Sequence, residues 1–171
     1  MALRQTTAVI SPPKTYESLK AMTPGTAVFT MPSGPIKCAG TPQKIAYLAA
    51  DHWFRRGVLN NIHIVLILPT PTLFGVPEFS KVLEEVVKRY HINVHLQSEM
   101  LEVDEDKREL VIKDNQEDST STLRFDLLHA VPPQSAPDWV RRSPISDMAP
   151  NNYIEVGKTS NQHPIYHNIF A

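Results

Sequence analysis

The sequence predicts an α/β domain: a βαβαβ unit built on a parallel sheet, followed by a three-stranded antiparallel β-meander. Three observations carry that reading. Hydrophobic residues make up 42% of the 171-residue chain, enough for one folded core. The first half alternates strand-like apolar runs with helix-period segments, the order that builds parallel sheets. The 15 prolines cluster ahead of residue 78 and after residue 131, so Glu78 to Val131 is free to hold regular structure.

The elements follow in order. Residues 1–24, beginning MALRQTTAVISPPK, lack the apolar core of a secretory signal and read as a loose lead-in. From Thr26 the run AVFTM has β-branched and aromatic content, and Pro32 ends it as a strand. Thr41-Pro42 reads as a helix start, with Thr capping free N–H groups and Pro needing no hydrogen bond at the first helical position. Ile45, Leu48, Ala49 and Trp53 then share one helical face, and Gly57 supplies the stop. Ile62 to Leu68 is a nearly unbroken apolar run, as expected of a parallel strand covered on both faces. Pro77 to Tyr90 repeats the helical period through Phe79, Val82, Leu83, Val86 and Val87, and Ile92 to Leu96 is the third strand.

The period then drops to two. Met100 to Val103, Leu110 to Ile112 and Leu123 to Val131 are the expected meander strands, separated by an EDKRE turn and a polar NQEDSTST loop read as a solvated hairpin tip. Residues 25–140 are therefore assigned to the central domain and 141–171 to a C-terminal segment.

Charge and motifs narrow the function. Lys plus Arg number 17 and Asp plus Glu 18, a net charge of -1, so nothing draws in nucleic acid. No apolar run is long enough for a transmembrane helix, and a soluble chain is expected. Of the seven histidines, His63 and His129 fall inside apolar strands as satisfied core residues. His91 and His95 straddle a helix end, and His163 with His167 lacks a third ligand, so no metal site is expected. Asp104, Glu105 and Asp106 form a charged hairpin tip, and no G-x-S-x-G turn supports hydrolase chemistry.

Cys38 is the sole cysteine, which excludes an internal disulfide. It is either a small buried hydrophobe or a reactive thiol. It lies three residues before a helix N-terminus, between Lys37 and the more distant Lys44, and both the helix end and the cations favour thiolate. Its turn, MPSGPIKCAGTPQK, occupies the place where a dinucleotide-binding domain carries G-x-G-x-x-G. Those glycines are missing and Pro35 and Pro42 lack amide donors, so NAD is not expected there.

The stretch GTAVFTMPSGPIKCAGTPQKIAYLAADHWFRR resembles the segment around a redox-active cysteine in sulfide:quinone oxidoreductases of mitochondrial and related bacterial type. FDLLHAVPPQSAPDWVRRSPISD and VGKTSNQHPIYHNIFA are similar to two later stretches of that family. The resemblance implies a Rossmann-like domain of a two-dinucleotide-domain flavoprotein. It implies that Cys38 is one of two cysteines that accept sulfur from sulfide, with electrons passing through FAD to quinone. It also implies that Pro132 and Pro133 approach the flavin, and that the enzyme attaches to a bacterial inner or mitochondrial inner membrane. The family's flavin-binding glycines and second cysteine have no counterpart in this sequence. The chain is thus expected to match a central fragment, to bind no FAD alone and to be inactive alone. The alternative is a non-catalytic Rossmann-like interaction module, forming a homo-oligomer through an exposed domain interface.

Overall fold

The computed structural model describes residues 12–146 and 152–171. Residues 1–11 of the expected lead-in, and residues 147–151, lie outside the described residues. The chain divides into two compact units, one taking the chain up to Ser33 and Cys38–Pro132, the other Gly34–Lys37 and Pro133–Ala171.

The first unit contains α1 (Pro12–Ala21), β1 (Gly25–Thr30), α2 (Thr41–Arg55), β2 (Ile62–Ile67), α3 (Pro77–Arg89), β3 (Asn93–His95), β4 (Ser98–Asp104), β5 (Glu109–Asp114), β6 (Ser119–Arg124) and β7 (Leu127–His129). Four strands form a parallel sheet in the order β3-β2-β1-β7, and three form an antiparallel sheet in the order β4-β5-β6. β1 and β2 run in register from Gly25↔Ile62 to Thr30↔Ile67. Ala27 to Phe29 on the other edge of β1 pair with Leu127 to His129.

The parallel sheet is covered on both faces, as the run Ile62 to Leu68 requires. Val28, Val65 and Ile67 pack with Leu110 and Ile112 of the meander, flanked by Met100, Val103, Leu123, Phe125 and Leu128. Strand alternation turns Ala27, Phe29, Ile64 and Leu66, all fully buried, to the opposite face, where α2 packs on β1 and β2.

Several expectations are corrected. The lead-in is helical over Pro12–Ala21, because Leu19 and Met22 are buried and the Trp53 indole N–H donates to the Leu19 carbonyl at 2.9 Å. The buried face of α2 is Ala46, Ala49, Ala50 and Trp53, while Leu48 is 67% exposed. The alanines let the helix lie close to the sheet, and the larger Leu48 falls outside that contact. On α3, Leu83, Val86, Val87 and Tyr90 are half-buried, whereas Phe79 and Val82 are exposed.

The expected third meander strand is two strands. β6 occupies the supposed polar loop, its Ser and Thr residues pairing with β5 from Asp114↔Ser119 to Glu109↔Arg124. β7 leaves the meander and joins the parallel sheet. The crossing is fixed at Gly25, whose φ is +134° and whose Cα lies so close to Asp126 that a Cβ would meet the carboxylate at 2.5 Å. Asp126 uses that proximity to accept the Thr26 N–H at 2.8 Å, and its own N–H donates to the Thr26 carbonyl at 2.8 Å. His63, expected in the core, is exposed at the second position of β2, ahead of the covered stretch. His129 is half-buried against Phe29, with ring centroids 5.9 Å apart, and its Nδ1 finds no partner among the described residues.

The second unit holds α4 (Asp138–Arg141) and a bridge between Gln162 and Phe170. His163 is buried, and its Nδ1 accepts the backbone N–H groups of Ile165 at 3.0 Å and Tyr166 at 3.1 Å. Its ring therefore organises a turn. Among the described residues no group of three His, Cys, Asp or Glu side chains could hold a metal ion, and no helix is long and apolar enough to cross a membrane.

Candidate functional site: a thiol at the carboxyl end of β1

From β1 the chain passes to β2 and β3 on one side, and only later returns to place β7 on the other. The loops leaving the carboxyl ends of β1 and β7 therefore diverge, and in open parallel sheets that crevice is where ligands bind. Cys38 lies on the first of these loops and Pro132 begins the second. The strand exits are tied together: the Thr30 hydroxyl accepts the Val131 N–H at 3.2 Å. In the second unit, the Gln134 side-chain oxygen accepts the Lys37 N–H at 2.7 Å.

Cys38 is exposed. Its thiol is held below its ordinary value, first by a hydrogen bond from the Thr41 side chain, then by the Gly40 backbone N–H, with Lys44 adding charge attraction against a small cost of desolvation. The expected Thr41 cap is also corrected. Thr41 is the first residue of α2, Gly40 is the N-cap, and no side chain caps the helix. Thr41, one position inside the helix, caps no free amide.

The turn does not fit a dinucleotide pyrophosphate, which needs several free amides converging at the helix end. The Lys37 N–H is taken by Gln134 and the Thr41 N–H by the Cys38 carbonyl at 3.1 Å. Pro35 and Pro42 have no N–H to give. Pro132 and Pro133 are exposed and can offer a ring face but no amide donor. This turn and these two prolines thus offer no cluster of free amides to a flavin pyrophosphate.

The mouse mitochondrial sulfide:quinone oxidoreductase is 35% identical over 159 residues, covering 92% of this chain and 35% of that protein. The corresponding protein of Schizosaccharomyces pombe is 35% identical, covering 91% of this chain and 34% of that one. The chain is homologous to one segment of the sulfide:quinone oxidoreductases. It spans about a third of the length of these relatives. The sulfide:quinone oxidoreductase of Aquifex aeolicus has the same fold over 92% of this chain and 37% of its own, with a TM-score of 0.76 at 17% identity. The thioredoxin reductase of T. acidophilum aligns over 87% of this chain and 43% of its own with a TM-score of 0.54 and 14% identity, which relates the architecture alone. No protein-family model matches the chain.

Proposed function

We propose that this chain is the central segment of a sulfide:quinone oxidoreductase-like flavoprotein in which Cys38 is one of two redox cysteines. The observation that carries the reading is an exposed thiol, stabilised as thiolate, at the carboxyl end of β1 in a chain homologous to that family. The chain has one cysteine, so the second thiol comes from elsewhere. The family resemblance implies FAD and quinone as the onward electron acceptors, supplied by parts of the protein other than this turn.

The chemistry assigned to Cys38 is that of a leaving group. In a disulfide, the sulfur with the more stable thiolate departs faster. Hydrosulfide attacks the partner sulfur and a new sulfur–sulfur bond forms there as a persulfide. The bond to Cys38 breaks, and its electron pair leaves on Cys38 as thiolate. The disulfide is reduced by two electrons and the sulfide sulfur is oxidised by two.

The test uses the mixed disulfide of Cys38 with glutathione. Hydrosulfide is expected to return the free chain, read by intact mass, severalfold faster than it cleaves free glutathione disulfide, and Thr41→Val should remove most of that advantage. Cleavage no faster than that of glutathione disulfide overturns the reading.

A second reading rests on the exposed Phe79 and Val82 of α3. An apolar helix face of this kind suits association with a second copy in an interaction module. Gel filtration over a concentration series distinguishes it: a monomer at all concentrations removes the self-associating module.

A further inference from the structure

Gln43 is 2% exposed, a buried carboxamide on the first turn of α2. Burying such a group costs free energy unless its donors and acceptor are paired, so its partners define what it holds. Nε2 donates to the Leu73 carbonyl and reaches the Ala39 carbonyl at 3.5 Å. Oε1 accepts the Tyr47 hydroxyl at 3.0 Å. The two carbonyls settle which end of the amide is which: both only accept, so the –NH2 faces them and Oε1 is left for the Tyr47 hydroxyl.

The two carbonyls belong to different loops. Ala39 follows Cys38 directly, and Leu73 lies on the segment between β2 and α3. That segment is braced by its own hydroxyls, Thr70 to the Thr72 carbonyl at 2.7 Å and Thr72 to the Phe74 carbonyl at 2.9 Å. Leu73 is itself buried. Gln43 therefore joins the cysteine turn to a fixed point in the core. The Thr41 and Lys44 N–H groups add short-range hydrogen bonds to the Cys38 and Gly40 carbonyls.

We propose that Gln43 is a positioning residue for Cys38: by holding the Ala39 carbonyl against the Leu73 loop, its buried carboxamide fixes the residue that follows the cysteine at the start of α2. The inference rests on Cys38 being a functional thiolate, as proposed above, but its test measures the thiol and not sulfur transfer.

The experiment is the pH dependence of Cys38 alkylation by iodoacetamide in the full chain, followed by intact mass. Gln43→Met keeps the side-chain volume and removes all three hydrogen bonds. The titration midpoint of alkylation should rise, and the rate near neutral pH should fall about threefold to tenfold. Tyr47→Phe, which leaves the carboxamide in place but unanchored at its oxygen, should shift the profile the same way by about twofold. Leu110→Ala in the meander serves as the control for a purely structural loss: it should lower the unfolding midpoint and leave the alkylation profile of the folded protein unmoved. If Gln43→Met does not fold, Tyr47→Phe decides alone. An unchanged profile in whichever of the two folds overturns the proposal, even where hydrosulfide cleaves the Cys38 mixed disulfide as expected. A shifted profile together with no hydrosulfide reaction keeps the positioning role and removes the proposed function.

Discussion

β2 and β6 are both six residues long, yet five residues of β2 are buried and none of β6 is. β2 lies inside a sheet covered by α2 on one face and by the meander on the other. β6 is the outer strand of a sheet whose far face meets water. A strand buried on both faces has no side chain to spare for chemistry, so the parallel sheet can act only where its strands end. Cys38 and Pro132 stand there. The meander carries its polar groups in the open and uses its inner face, through Leu110 and Ile112, to close the core beneath the site.

The sharpest way to break this contrast is to empty one position in each sheet. Ile67→Ala removes a fully buried side chain of β2 and should cost about 3–4 kcal/mol. Leu110→Ala, equally buried but in a sheet free to relax toward solvent, should cost about 2–3 kcal/mol. Urea unfolding of both variants checks the order, and equal losses would mean that the meander is held as rigidly as the sheet beneath it.

Next in size is a pH effect at His129, which sits between the two regimes at the end of β7. Burial holds its imidazole below the usual 6.5. As pH falls, the unfolded chain takes up the proton first, so stability is complete above about 6.5 and declines from there down to the lowered folded value. His129→Gln should flatten that decline, measured as urea midpoints from about pH 8 to about pH 5. An equally steep decline in the variant would assign the effect to another group.

The smallest effect belongs to the hairpin ion pairs. Lys113 and Asp118 stand 2.9 Å apart, and the pairing holds the aspartate below its usual range. A lowered carboxylate adds stability above its unfolded value and loses it as pH falls through the folded one. Here both partners meet water, so Asp118→Asn should leave the neutral-pH unfolding midpoint unchanged within error, in low salt and high. A measurable drop would show that this tip is less solvated than its exposure suggests.

The same contrast explains what the sequence made legible. Ile62 to Leu68 announces a doubly covered strand, because only apolar residues survive there, and Thr41-Pro42 announces a helix start because Pro is tolerated at few other helical positions. The STSTLR run of β6 carries no apolar face, so its pairing with β5 is a backbone matter that hydrophobic period does not report. α1 depends on a distant indole, that of Trp53, and its sequence alone gave no reason to order it. At the site, the position of Cys38 was readable from its turn. The Thr41 hydroxyl, the Gln43 carboxamide and the Gln134 bridge were not, since each depends on how loops meet in space.

The pairing of β1 with β7 also sets a timetable for the newborn chain. Thr26 and Asp126, which lock that pairing, are 100 residues apart. At ribosomal rates of about 5–20 residues per second, roughly 5–20 seconds pass between the emergence of the two. Through that interval one edge of β1 has no strand beside it. The segment that completes the carboxyl end of the sheet is thus also the one that ends its vulnerability to aggregation during synthesis.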